Sequence, residues 1–89
     1  MHFEWDRVKA EANRRKHKVT FDEAVSVFYD PLSATFPDPD SSGTEERLIT
    51  VGHSSRRRLL LVVHTEHSET IRIISARLTT AHERKRHET

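Results

Sequence analysis

The 89-residue chain has no cysteine. That excludes disulfide staples, cysteine-type zinc fingers and thiol chemistry, and it suits a reducing cytoplasm. It also lacks any apolar run near the roughly 20 residues needed to span a bilayer. The N-terminus Met1-His2-Phe3-Glu4-Trp5-Asp6 carries neither the basic nor the apolar region of a signal peptide, so a cytoplasmic protein with no membrane association is expected. A large charge excess is missing too: the net charge is +1, which excludes an indiscriminately basic nucleic-acid arm. There is no internal repeat and no low-complexity segment. With 34% hydrophobic and 33% charged residues, residues 1–89 have material for one modest core and are expected to form a single domain.

The charge is unevenly placed. Residues 1–40 hold six Lys or Arg against eight acids, whereas residues 41–89 hold nine against six and five of the seven histidines. The basic surface is therefore expected on the C-terminal half.

Alternation over residues 2–5 suggests a short strand, and Asp6 stands as the N-cap of a helix reaching His17. Only Val8, Ala10 and Ala12 are available for that helix to bury. Thr20 and Glu23 form a capping box for a second helix, whose Phe21, Ala24, Val25 and Phe28 recur on one face. Asp30-Pro31 ends it. Residues 31–46, with all three prolines, read as a long surface loop. Strands are expected at about 47–53, 58–65 and 70–77, joined by the polar turns 54–57 and 66–69. Thr80 and Glu83 make a second capping box for a short C-terminal helix. The expected fold is thus α+β: an antiparallel meander with the N-terminal helices on one face.

Symmetric closure of the two turns puts Ile49, Val51, Leu60, Val62, Ile71 and Ile73 on the helix-covered face. Arg47 and His64 then lie at one end of it, and Arg58 and Arg77 at the other. Leu48, Thr50, Leu59, Leu61, Val63, Thr65, Thr70, Arg72, Ile74 and Ala76 fall on the opposite face. A one-residue slip would exchange the faces.

The segment Ile71-Arg72-Ile73-Ile74-Ser75-Ala76-Arg77 places two guanidiniums on a strand otherwise suited to burial. Arginine stays charged and offers a planar fork that matches phosphate, so the pair suggests a phosphate site with RNA as the natural ligand. A solvated face, or pairing with acids, would explain the same arginines. Metal-free RNA cleavage needs a proton acceptor, a proton donor and a cation for the phosphorane. Candidates are Lys16-His17, Glu45-Glu46-Arg47, His64-Thr65-Glu66, and Arg72 with Arg77. Lys16-His17 equally suits C-capping of its helix. Arg56-Arg57-Arg58 at a hairpin tip suits several phosphates, or an ordinary soluble turn that protects a sheet edge. His64 with His67, and His82 with His87, lack a third ligand, so no metal and no cofactor are expected.

Taken together, Phe3-Glu4-Trp5-Asp6, Lys9-Ala10, Asn13, Lys16-His17, Val19, Phe21, Glu23-Ala24, Phe28, Asp30-Pro31, Glu46-Arg47, Gly52, Val62-Val63, Thr65-Glu66, the Ile71 to Arg77 segment and Glu83-Arg84 resemble the BrnT toxins in order and spacing. The resemblance runs from residue 3 to residue 84. It implies the toxin half of a type II toxin–antitoxin pair with a RelE-like ribonuclease fold. It also implies a DNA-binding BrnA-type antitoxin that neutralises the toxin and represses their shared operon. Carried over residue by residue, it marks Lys16, His17, Arg47, His64 to Glu66, Arg72, Ser75 and Arg77. The chain departs from the family at Lys18, where glycine is usual, at His67, where arginine is usual, and at His87, often tyrosine. A protonated His67 would partly replace the missing arginine. Arg56, Arg57, Arg58, Ser75 and His67 are thus read as RNA-binding. An mRNA-cleaving endoribonuclease and a non-catalytic binding module are the two readings this leaves.

Overall fold

The computed structural model describes residues 1–40 and 46–88. Strand β1 (His2–Glu4) leads into α1 (Arg7–His17) and α2 (Phe21–Val27). Then come β2 (Ala34–Pro37), β3 (Leu48–His53), β4 (Leu59–His67), β5 (Thr70–Leu78) and α3 (Ala81–Glu88). The expected α+β fold is what the chain forms.

The helix starts follow from their caps. Asp6 Oδ1 accepts the Val8 and Lys9 N–H groups at 2.8 and 3.2 Å, and Thr20 Oγ1 accepts that of Glu23 at 3.1 Å, satisfying donors that a helix N-terminus leaves unpaired. Lys18 ends α1 in the left-handed region (φ 59°, ψ 32°), its N–H donating to the Arg14 carbonyl. Glycine adopts that conformation at least cost. Val8 and Ala12 turn outward, contrary to expectation, and only Ala10 of the three packs against the core. The helix is held instead through buried Asn13. Its Nδ2 donates to the carbonyls of Val19 (3.0 Å) and Ala76 (2.8 Å), and its Oδ1 accepts the Ala76 N–H (3.1 Å). These bonds stitch α1 to β5 where apolar contact is sparse.

The five strands lie in the order β1-β5-β4-β3-β2. β1 runs parallel to β5, and the remaining pairs are antiparallel. β2 was not foreseen. Part of the expected loop 31–46 pairs with β3 as an edge strand, a position that tolerates Pro37. Residues 41–45 of that loop, Glu45 among them, lie outside the described residues.

Two register effects correct the expected faces. His53 pairs with Leu59, and the loop between them closes with the Ser54 N–H on the Arg58 carbonyl. That is one residue away from symmetric closure. Every side chain of β3 is consequently exchanged between faces: Thr50 and Gly52 face the helices, while Ile49 and Val51 join Leu61 and Val63 on the open face. The second effect is a bulge in the β4–β5 ladder, where Val63 pairs with Ser75 but His64 pairs with Ile73, so that Ile74 has no opposite number. Before the bulge Ile71 and Ile73 point to the helices as expected. Beyond it Ala76 enters the core and Arg77 crosses to the open face. Arg47, alternating with Leu48, lies on the open face too.

The helix-side core consists of Val19, Phe21, Ala24, Val27, Leu60, Val62, Ile73 and Ala76, with Phe3, Trp5, Ala10, Val25 and Phe28 packed around it. Trp5 meets Phe21 edge-on at 5.9 Å.

Candidate nucleic-acid groove

The open face of the sheet carries a groove of about 580 Å³. Ile49, Val51, Leu61 and Val63 form its floor. Ala34, Phe36, Asp38, Pro39 and Asp40 form one wall, and Arg77, Glu83, Arg86 and His87 the other. The apolar floor follows from the shifted register of β3, and the cationic wall from the bulge in β5.

Arg77 is fixed from two sides of its fork. Nη1 donates to Glu83 Oε1 at 2.8 Å and Nη2 to Oε2 at 2.9 Å, the planar bidentate geometry that also suits phosphate. Nη1 additionally reaches the Leu78 carbonyl at 3.2 Å. Glu83 is held down to about 2, first by these Arg77 bonds and further by the Thr80 N–H. It thus caps α3 and orients Arg77 at once, since its Oε1 also accepts the Thr80 N–H at 2.8 Å.

Arg72 lies at the far end of the same face. β4 and β5 pair Thr65 with Arg72, and β5 and β1 pair Arg72 with Glu4. Arg72 Nη1 donates to Glu4 Oε2 at 2.8 Å, with the two side chains 43% and 53% exposed. Arg47 precedes Leu48, the partner of His64, so continuing the register brings it opposite Thr65. Its carbonyl accepts the Asp38 N–H at 3.0 Å. His67 ends β4 beside Thr70, and Ser75 lies half-buried between the two arginine ends.

Other sequence-marked residues lie elsewhere. Lys16 and His17 occupy the last turn of α1, on the helix side of the sheet, where with Arg14 and Arg15 they complement the negative end of the helix. His64 is 0% exposed, beneath α2. Its Nε2 is 2.7 Å from Thr50 Oγ1, which in turn lies 2.7 Å from Thr35 Oγ1, and its ring meets Phe28 edge-on at 4.9 Å. Burial pushes His64 down to about 4, so it is neutral at physiological pH. Glu66 Oε1 stands 3.8 Å from its Nδ1. Of the basic tip, Arg58 turns back to the helices: Nε donates to Glu23 Oε2 at 2.9 Å, Nη2 to Glu23 Oε1, and Nη2 also to the Lys18 carbonyl at 3.0 Å. Arg56 and Arg57 remain exposed, and Arg57 adopts φ 62°.

The rim of the groove holds a cluster that pattern reading passed over. Asp30 Oδ2 accepts the His53 N–H at 2.7 Å and lies 3.8 Å from His53 Nδ1. The His53 and His87 ring centroids are 6.4 Å apart. Asp30 is held below the usual carboxylate range by the N–H groups of His53 and then Leu32, and further by the two histidines. Nothing in the spacing of 30, 53 and 87 signals this cluster; the β3 register and the α3 orientation create it. Among the described residues no three His, Asp or Glu side chains are grouped as a metal site would require, and no helix is long and apolar enough to cross a membrane.

A sheet with helices on one face and, on the other, an apolar groove walled by an arginine oriented on Glu83 defines a small α+β protein. Its family is shown by sequence. Residues 5–83 match the model for the ribonuclease toxin BrnT of type II toxin–antitoxin systems, and the chain belongs to that family. As such it is a ribonuclease toxin, with an RNA substrate and a cognate antitoxin. Its fold is similar to that of the Brucella abortus ribonuclease toxin BrnT, known from a 1.1 Å crystal structure. The TM-score is 0.70 and the identity 23%, over 90% of this chain and 97% of that one. No curated protein gives a significant match.

Proposed function

We propose that residues 1–89 act as one endoribonuclease domain that cleaves mRNA in the open-face groove without a metal cofactor and so arrests translation. The observation that carries this reading is Arg77, presented at the groove wall by the β5 bulge and oriented by Glu83. In this reading Arg77 stabilises the phosphorane, while Arg72 and Arg47 guide the backbone along the same face. Ser75, His67, Arg56 and Arg57 add contacts to it. Arg58 and His64 serve the scaffold, and Lys16 and His17 lie away from the cleavage point.

In a cleavage assay on single-stranded RNA with excess chelator, the parent protein cuts and Arg77→Ala loses at least ~100-fold in rate, the scale of removing one oxyanion donor. Expression of the parent slows bacterial growth, and the variant does not. RNA binding without cleavage by the parent would put the binding-module reading ahead.

The proposed neutralising partner is a BrnA-type, DNA-binding antitoxin that covers the groove and represses the shared operon. A stable complex of this kind buries at least ~1,200 Å². Co-expression with the adjacent gene followed by size-exclusion chromatography tests it, and a toxin that elutes alone with undiminished growth inhibition counts against it.

A further inference from the structure

We infer that His53 and His87 form the proton-transfer pair of the groove, with Asp30 as the positioning residue, acting on a ribose 2′-hydroxyl and its neighbouring phosphodiester. The inference rests on the reading of the groove as the RNA-cleaving site and assigns the residues that move protons there. His53 continues the Ile49–Val51 row on the open face of β3, so its ring stands at the end of the groove floor, 48% exposed. His87 comes from α3 on the groove wall. At 6.4 Å between centroids, two imidazoles can address the attacking and leaving oxygens of one phosphorus.

The approach of Asp30 is built into the fold. Gly52 lies under it, and a Cβ there would come within 2.8 Å of Ser33 Cβ and 3.1 Å of Asp30 Oδ2. The absent side chain is what lets the turn after α2 close over β3. Backbone N–H groups of His53 and Leu32 then fix both carboxylate oxygens, at 2.7 and 3.0 Å, which sets Asp30 Oδ2 at 3.8 Å from His53 Nδ1, within ion-pair reach of the ring. The charged groups facing His87 are Asp30 from this turn, Arg77 from β5, Glu83 and Arg86 from α3, and Asp38 and Asp40 from the segment after β2.

Imidazole is the side chain suited to both accepting and giving a proton near neutral pH. One ring accepts the 2′-hydroxyl proton as the 2′-oxygen forms its bond to phosphorus. The bond from phosphorus to the 5′-oxygen breaks, and the other ring, as imidazolium, protonates that oxygen. The products are a 2′,3′-cyclic phosphate and a 5′-hydroxyl, with no oxidant, reductant or further reactant. The two histidines marked as catalytic in the sequence are poorly placed for this, His17 being on the helix side and His64 sealed.

The test is the pH–rate profile of the purified protein on a 5′-labelled single-stranded RNA of mixed sequence, with product ends identified by mass spectrometry. The parent should give a bell-shaped profile and cyclic phosphate ends. His53→Ala and His87→Ala should each lose about 100-fold or more and each abolish one limb. Asp30→Asn should lower kcat about tenfold with KM steady and displace the limb that His53→Ala abolishes, a change that a merely structural role would not produce. Circular dichroism checks that each variant is folded, as expected with His53 exposed and His87 partly so. A His53→Ala/His87→Ala double variant that keeps the bell profile within about threefold of the parent overturns the pair. If Arg77→Ala is inactive in that same assay, the groove reading survives; if Arg77→Ala also cleaves normally, the groove reading falls and this inference with it.

Discussion

Arg58, at the tip of the β3–β4 hairpin, closes its guanidinium on the carboxylate of Glu23 in the first turn of α2, with Glu23 only 4% exposed. Ser54 Oγ donates a further bond to Glu23 Oε2 at 2.7 Å. The expected capping box is thus only half realised. Thr20 caps the helix, but Glu23 is turned inward and anchors the hairpin.

Breaking this pair leaves a buried carboxylate without its cation, so Arg58→Ala should lower stability by about 3 kcal/mol. Urea denaturation at neutral pH measures it. Arg57→Ala, one residue away and exposed, should move the midpoint little. A small effect of Arg58→Ala would show that Arg58 is a surface cation after all.

His64 should make stability fall with mild acid. Its folded value of about 4 lies below the ordinary 6.5, so between these values the unfolded chain binds more protons and stability rises with pH. The contribution is complete above about pH 6.5 and is lost as pH falls toward 4, by about 3 kcal/mol in all. Denaturation midpoints across this range should decline for the parent. The decline should be much shallower for His64→Gln, which keeps a polar partner for Thr50.

Lys18→Gly should stabilise the protein by about 1 kcal/mol, because the left-handed C-cap favours glycine by more than the entropy glycine adds to the unfolded chain. Thermal unfolding checks it, and a lowered Tm would contradict it.

Asn13→Ala should cost about 3 kcal/mol, since it strands the Ala76 N–H and two carbonyls in the interface between α1 and β5. Asn13→Asp should fare no better: a carboxylate can accept from Ala76 but cannot donate to either carbonyl.

Element positions were largely legible in the sequence because caps and periodicity are local: Asp6, Thr20 and Thr80 mark helix starts where they occur. β2 was hidden, since Ala34–Pro37 is only four residues long, wholly exposed, and set among the prolines that mark a loop. Face assignment failed where it depended on one extra residue, in the turn after His53 and at Ile74. Arg72 was placed on the correct face, but Arg77 was not, and the difference is the bulge between them. Asn13 was visible within a family motif, yet its partner Ala76 is 63 residues away. The Asp30, His53 and His87 cluster was unreadable for the same reason: three elements distant in sequence meet only through tertiary packing.

The bulge at Ile74 also sets how this segment can vary. Ile74 supplies a count as well as a side chain: if Ile73 to Arg77 paired without the bulge, strict alternation would hold from Ile73 onward. That would drive the Arg77 guanidinium beneath the helices and expel Ala76 to the surface. Loss of Ile74 itself would leave Ala76 in the core and Arg77 on the open face, so the stretch can shorten by that one residue, whereas the turn 54–58 can change length only in steps that keep β3 the same way up. Single-residue deletions among working variants should therefore be found at Ile74 and not in that turn.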